Sequence, residues 1–358
     1  MGNVILRSSF NFMSLLKLPG LIDAHVHLRD PGATHKEDFY TGSRAAVKGG
    51  FTFVLDMPNN QEPTITRSAL EEKILLAEKK AICGIGFHFG TNGRNIDEFA
   101  YAAASPLVFG LKLYCNHTTG EMLIEDLGLL EQIFVAWQST KPILVHAEGV
   151  QLAAAVALAQ VYNRRLHVCH ISQATEVELV RRAKACGQKV SAGVCPHHLF
   201  LTKESRDSLK GYAMMKPPLG TTEDQTALWA GLRDGTIDLV ETDHAPHTKE
   251  EKEKDPPAYG VPGLETALSL LYQAAKEGKI KMADIEKFLY DNPKRIFNIP
   301  DQPDTYIEVD TEAEWIVGAG GYESKCGWSP FHGWKLPGQV ITVVVGGKTV
   351  VAGGMVIT

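Results

Sequence analysis

Apolar residues in this chain fall into short, nearly unbroken runs separated by longer stretches of helical period. The runs cover residues 21–27, 51–57, 84–89, 108–114, 143–146, 166–170, 188–192 and 237–242. Between them, in 67–80, 125–137, 151–162, 174–186 and 223–233, apolar positions recur at three- and four-residue spacing, as on a helix with one buried face. A strand that is apolar on both faces is covered on both sides, and strands that alternate with helices pair in parallel. Eight such units predict an α/β fold, a (β/α)8 TIM barrel, over residues 18–300. Beyond that the helical period gives way to strand-like runs at 339–345 and 349–358, set off by Gly-Gly turns. Residues 301–358 are expected to join residues 1–17, chiefly 3–10, in a small accessory β module. The Lys/Glu-rich run 248–254 reads as a solvated surface loop.

Composition narrows the function. The 358 residues are 44% hydrophobic and 22% charged, enough to bury a large core. A formal net charge of −6 argues against nucleic acid or an anionic membrane as the main partner and favours a small-molecule substrate. No apolar stretch is long enough to span a bilayer. The six cysteines show no close pairing, which points to a reducing cytoplasm. A homodimer is the default expectation for an assembly.

The candidate chemistry lies at the ends of the apolar runs. His25 and His27 flank Val26, and alternate residues of a strand share a face. Lys112 lies in the fourth run, His146 closes the fifth, His170 closes the sixth, and Asp243 follows the eighth. All six then converge on the C-terminal mouth of the barrel, where active sites of this fold form. A single histidine at a strand end is ordinarily just hydrogen-bonded, and Asp243 alone reads as a turn cap. Six potential ligands on one face, including a lysine that is costly to bury unpaired, read as a metal centre. Four imidazoles, a carboxylate and a lysine can hold two divalent ions if CO2 converts the lysine amine into a carbamate with two ligating oxygens. Imidazole and oxygen ligands suit Zn2+.

The chain resembles the metal-dependent amidohydrolases, and within them the dihydroorotases. The likeness runs through Gly20-Leu21-Ile22-Asp23-Ala24-His25-Val26-His27-Leu28-Arg29-Asp30-Pro31-Gly32, Met57-Pro58-Asn59, Gly110-Leu111-Lys112-Leu113-Tyr114, Val145-His146-Ala147-Glu148, Cys169-His170, Pro196-His197-His198-Leu199 and Thr242-Asp243-His244-Ala245-Pro246-His247. Segments 304–310 and 328–331 make it most similar to the dihydroorotase domain of the animal multifunctional pyrimidine-synthesis protein. The resemblance implies zinc-dependent, reversible hydrolysis of the cyclic amide of dihydroorotate to N-carbamoyl-aspartate. It assigns His25, His27 and Asp243 to one zinc ion, His146 and His170 to a second, and carboxylated Lys112 as the bridge. It makes Asp243 the proton shuttle. Arg29, Asn59 and His247 would hold the carboxylate of the small anionic substrate, and backbone groups at Pro262-Gly263 the ring amide. Segment 115–121 would be a lid, with Thr118 touching the reacting group.

Three positions depart from that pattern. Gly193 stands where the animal-type domain has a glutamate associated, together with the cysteine matching Cys169, with a third metal, so two metals are expected here. Lys216 replaces an arginine that reaches the substrate, keeping the charge but losing the fork. Thr119 replaces a phenylalanine in the lid. Two rival readings remain: another cyclic amidohydrolase (hydantoinase, dihydropyrimidinase or allantoinase), which would not need the carboxylate clamp, and a catalytically silent homologue serving as a scaffold.

Overall fold

The computed structural model describes residues 15–116 and 122–358. Its first strand, β1 (Leu15–Pro19), belongs to an accessory sheet, and the chain turns directly from it into the barrel. Eight parallel strands follow in sequence order: β2 (Leu21–Val26), β3 (Phe51–Asp56), β4 (Gly84–Gly90), β5 (Val108–Tyr114), β6 (Ile143–His146), β7 (Leu166–Val168), β8 (Val190–Val194) and β9 (Leu239–Val240). The expected (β/α)8 architecture is what the chain forms. The circle closes between β9 and β2 through a bridge from Val26 to His244 and a 2.8 Å bond from His27 N–H to the His244 carbonyl.

The strand bounds differ most at the site. β7 ends at Val168, before His170, and β9 is only two residues long. Arg29, His170 and Asp243 adopt positive φ (62°, 37° and 45°), a conformation that no strand continues through and that non-glycine residues rarely hold. The chain therefore leaves the sheet just where these side chains must turn into the mouth. The outer helices follow the expected periods closely, for example Arg67–Lys80 capped by Thr66, and Thr222–Asp234 opened by a Thr221/Asp224 capping box. At the far end of the barrel, Phe297, Ile296 and Ile299 plug a floor formed by Ile22, Leu55, Phe109, Leu144 and Leu239.

Run 248–254 is not simply a solvated loop. Residues Lys249–Glu253 form a short helix, and Lys252 is buried, donating to the carbonyls of Met214, Ala258 and Gly260. Those three bonds satisfy the ammonium without a carboxylate and tie together loops beside the mouth.

The accessory sheet is antiparallel, in the order β1, β10 (Tyr306–Ile316), β11 (Lys335–Val345), β12 (Lys348–Ala352) and β13 (Met355–Val356). Leu15–Pro19 supplies its N-terminal strand, and segment 3–10 lies outside the described residues. The link between β10 and β11 reaches back over the barrel. There Trp328 Nε1 donates to the His247 carbonyl at 2.7 Å, Lys325 pairs with Asp38 at 2.6 Å, and Ser324 N–H binds Glu265 at 3.0 Å.

One buried ion pair supports the first two barrel loops. Lys73, on the inner face of helix Arg67–Lys80, meets Asp56 Oδ2 at 2.7 Å and donates to the Met57 carbonyl and Asn59's neighbour Asn60 at 2.7 Å each. Asp56 Oδ1 accepts from the N–H of Leu28, between His27 and Arg29, at 2.7 Å. Lys73→Met leaves Asp56 buried and uncompensated, and is expected to lower the unfolding free energy by about 3–5 kcal/mol in a denaturant titration. Adding Asp56→Asn should recover part of that loss, whereas a full-strength K73M single variant would contradict it.

Candidate active site

The six expected ligands meet at one end of the barrel. His25 is within β2 and His27 just past it, Lys112 lies in β5, His146 ends β6, and His170 and Asp243 sit on the turns after β7 and β9. All are buried. The register of β5 with β6 pairs Tyr114 with His146, so Lys112, two residues back, points to the same face.

Two groups of ligand atoms form. Asp243 Oδ1 lies 3.0 Å from His27 Nε2 and 3.4 Å from His25 Nε2, while His146 Nδ1 faces His170 Nε2 at 3.1 Å. Ligands at 2.0–2.1 Å from a tetrahedral ion lie about 3.3 Å apart, so these separations suit shared ions. His27 Nδ1 is 2.7 Å from Asn59 Oδ1, which can only accept, so the proton sits on Nδ1 and the Nε2 lone pair is free for a metal. His25 Nδ1, His146 Nε2 and His170 Nδ1 are buried without a hydrogen-bond partner. Lys112 meets the Cys169 thiol at 3.1 Å and packs over the Tyr114 ring. Among the described residues, His25, His27 and Asp243 form one of three groups placed to hold a metal ion, the others being His25, Cys169 and Glu241, and Cys195, His197 and His198.

The electrostatics favour ligands ready to bind. Burial pushes His27 down to about 4, against the pull of Asp243, and pushes His146 down to about 3, helped by Lys112. Burial and the neighbouring His146 keep His170 well below its ordinary value. Burial alone would raise the Asp243 carboxyl, but His25 and His27 hold it well below the usual carboxylate range. At neutral pH His27, His146 and His170 are neutral rings with lone pairs to offer, and Asp243 is a carboxylate.

Arg29, Asn59 and Lys216 line the same cavity as His25, His27, His146, His170 and Asp243. A larger recess of about 380 Å3 opens beside it and shares Arg29 and Asn59. His247 stands behind Arg29: its Nε2 is 2.9 Å from the Tyr259 carbonyl and 3.2 Å from Arg29 Nη2, and its Nδ1 is 3.2 Å from both Lys36 and Glu251. Gly263 is already engaged, its N–H donating to His244 Nδ1 and its carbonyl accepting from Thr266 and Ala267. Thr118 lies outside the described residues. Sequence reasoning passed over Tyr114 and Glu241, although each sits two residues from a named ligand, the same spacing that singled out His25 and His27.

A family profile described as "Amidohydrolase family" matches residues 16–350. The chain is 43% identical over 98% of its length to the multifunctional protein CAD of Squalus acanthias, of which it spans only 15%. It is 36% identical to a dihydroorotase of Lactobacillus delbrueckii subsp. bulgaricus, with 93% of this chain and 87% of that one covered. Among solved structures, an L-hydantoinase (dihydropyrimidinase) from Arthrobacter aurescens superposes with a TM-score of 0.88 at 25% identity, over 96% of this chain and 87% of that one. The inactive dihydroorotase-like domain of a Chaetomium thermophilum CAD-like multifunctional protein does so at 0.81 and 26%, over 96% of each.

The depressed histidines make metal-free stability depend on pH. The unfolded chain protonates its histidines near pH 6.5, the folded chain only near 4 for His27 and 3 for His146. Their neutral forms impose no penalty above about pH 6.5, and stability falls as pH drops from there toward 3. Between pH 7.5 and 4.5 the metal-free protein should lose roughly 2 kcal/mol for each of His27 and His146 in urea titrations, and His146→Asn should flatten the profile. An H146N profile as steep as the wild type would refute this assignment.

Proposed function

The chain belongs to the amidohydrolase family, and from that premise we propose that it is a dihydroorotase, opening and closing the cyclic amide of dihydroorotate. The observation that carries this reading is the placement of Arg29 and Asn59 on the wall of the cavity that holds the ligand cluster. Arg29 offers a planar fork to a carboxylate. Asn59 gives its carbonyl oxygen to His27, so its NH2 group is the one left to donate to an anion. A neutral ring would gain nothing from this pair. His247 steadies Arg29, Lys216 adds a second cation, and the ring N–H is assigned to the Pro262 carbonyl.

The ligand set fits two zinc ions, with His25, His27 and Asp243 at one, His146 and His170 at the other, and Lys112 as a carbamate between them. Carbamylation turns a buried cation into an anion and removes the mismatch of an ammonium among histidines. The ions, when bound, supply Lewis acidity for the amide carbonyl and a hydroxide nucleophile near neutral pH. Asp243, ionised and beside His25 and His27, accepts the proton of the attacking water and delivers it to the ring nitrogen as the C–N bond breaks. Ring closure reverses the same steps. Among the described residues no helix is long and apolar enough to cross a membrane, and six free cysteines suit a reducing cytoplasm. The likeness to an inactive dihydroorotase-like domain keeps a scaffold role in view, but here all six ligand residues are present and gathered.

Hydrolysis of dihydroorotate, followed by absorbance with dihydrouracil, hydantoin and allantoin as controls and with metal content measured, tests the reading. Turnover of dihydroorotate alone, with about two zinc ions per chain, is the expected result; turnover of the neutral rings would move the chain to another cyclic amidohydrolase. Arg29→Lys should raise KM for dihydroorotate at least about tenfold, because the bidentate contact is lost. Lys112→Ala should reduce bound zinc and abolish turnover.

A further inference from the structure

Glu241 follows β9, two residues before Asp243, and is fully buried. The chemistry proposed above makes no use of it. Its Oε1 accepts from the backbone N–H of His170 at 2.6 Å, and its Oε2 faces His25 Nδ1 at 3.7 Å and His167 Nε2 at 3.4 Å. His167 is itself held by Ser191 at 2.9 Å. The carboxylate thus has histidines, and no lysine or arginine, as its ion-pair partners. Burial alone would raise its carboxyl, yet His167 and His25 hold it well below the ordinary range.

Room for this carboxylate comes from the neighbouring strand. A Cβ on Gly193, in β8, would stand 2.3 Å from Glu241 Oε1 and 2.5 Å from Cδ. Any other residue at 193 would displace it. Gly193 does not have a positive φ, so its smallness is needed for space and not for backbone freedom.

Resting on the metal-hydrolase reading above, we infer that Glu241 is a positioning residue that orients His25 and His170, one ligand from each of the two metal positions, through a single buried carboxylate. When the Nε2 of His25 gives its lone pair to a metal, the remaining ring proton must sit on Nδ1, the edge that Glu241 faces. A metal-bound imidazole with a carboxylate behind it is fixed in tautomer and orientation and is a stronger donor. At His170 the same carboxylate holds the backbone in its positive-φ turn. Position 241 therefore couples the two halves of the centre without touching substrate.

Glu241→Gln keeps an acceptor for the His170 N–H but removes the charge and puts an NH2 donor where Oε2 faces His25 and His167. Zinc affinity by chelator competition is expected to fall tenfold to a hundredfold, with kcat reduced and KM little changed. Because Gly193 and Glu241 contend for one space, E241A/G193D returns a carboxylate from the opposite strand and should regain much of the affinity lost in E241A. Wild-type affinity in E241Q, or no recovery in a folded E241A/G193D, would overturn the proposal. So would three ions per wild-type chain with one lost in E241Q, since His25, Cys169 and Glu241 would then be ligands themselves. Ions bound and weakened by E241Q without turnover of dihydroorotate would support the positioning role and sink the substrate assignment. A wild-type chain that takes up no ion would sink both.

Discussion

The constraint behind this molecule is the cost of drying out a crowd of polar side chains. Four imidazoles, a carboxylate and a lysine are withdrawn from water at the barrel mouth, and three ring nitrogens among them make no hydrogen bond. Gathering such groups away from water is destabilising unless protein groups behind them or a ligand in front completes them. Around the cluster, each exit from the sheet is pinned from behind. Asp23 accepts from the N–H of His25 and from Thr242, Asp56 holds Leu28, Asn59 holds His27, and Glu241 holds His170. The polar side chains one step back fix the geometry of the groups in front.

The barrel was legible because fully covered strands leave continuous apolar runs, and all eight appear where those runs lie. What escaped the sequence is where each strand stops. His170 and Asp243 belong to tight left-handed turns, and the enrichment of His and Asp at positive φ is too weak for residue type alone to mark them. Lys252 escaped for a related reason: in a run of lysines and glutamates, one side chain finds three carbonyls that only the folded chain assembles. The expected boundary puts residues 15–17 in the module, with its strand at 3–10, and 18–19 in the barrel, whereas Leu15–Pro19 form one strand of the accessory sheet; the lone Lys17 breaks the alternation that marks an edge strand. Glu241 could have been found, since it alternates with Asp243 as His25 does with His27. Its exchange of space with Gly193 could not, because the two positions are far apart in sequence.

Fold similarity does not separate the possible activities. The superposed hydantoinase and the inactive dihydroorotase-like domain both share this architecture, and function resides in the side chains grafted onto it. The deciding features are few. On the reading proposed here, the ligand cluster sets what chemistry the mouth supports, and the Arg29–Asn59 wall favours an anionic substrate. The strap from the accessory sheet bears on both, because Trp328 and Ser324 anchor the loops that carry His247 and Glu265.

The seam of the barrel also sets an order of events. Its closing contacts join His27 to His244, and the side chains of His27 and Asp243 meet across 216 positions of sequence. Contacts of such long range form late, after the local units have condensed. During synthesis, the first histidines emerge from the ribosome long before the aspartate that completes their cluster. The nascent chain must therefore carry an incomplete cluster, open and unclosed, until the last barrel unit arrives, and closure of the wall and completion of the cluster become the same step.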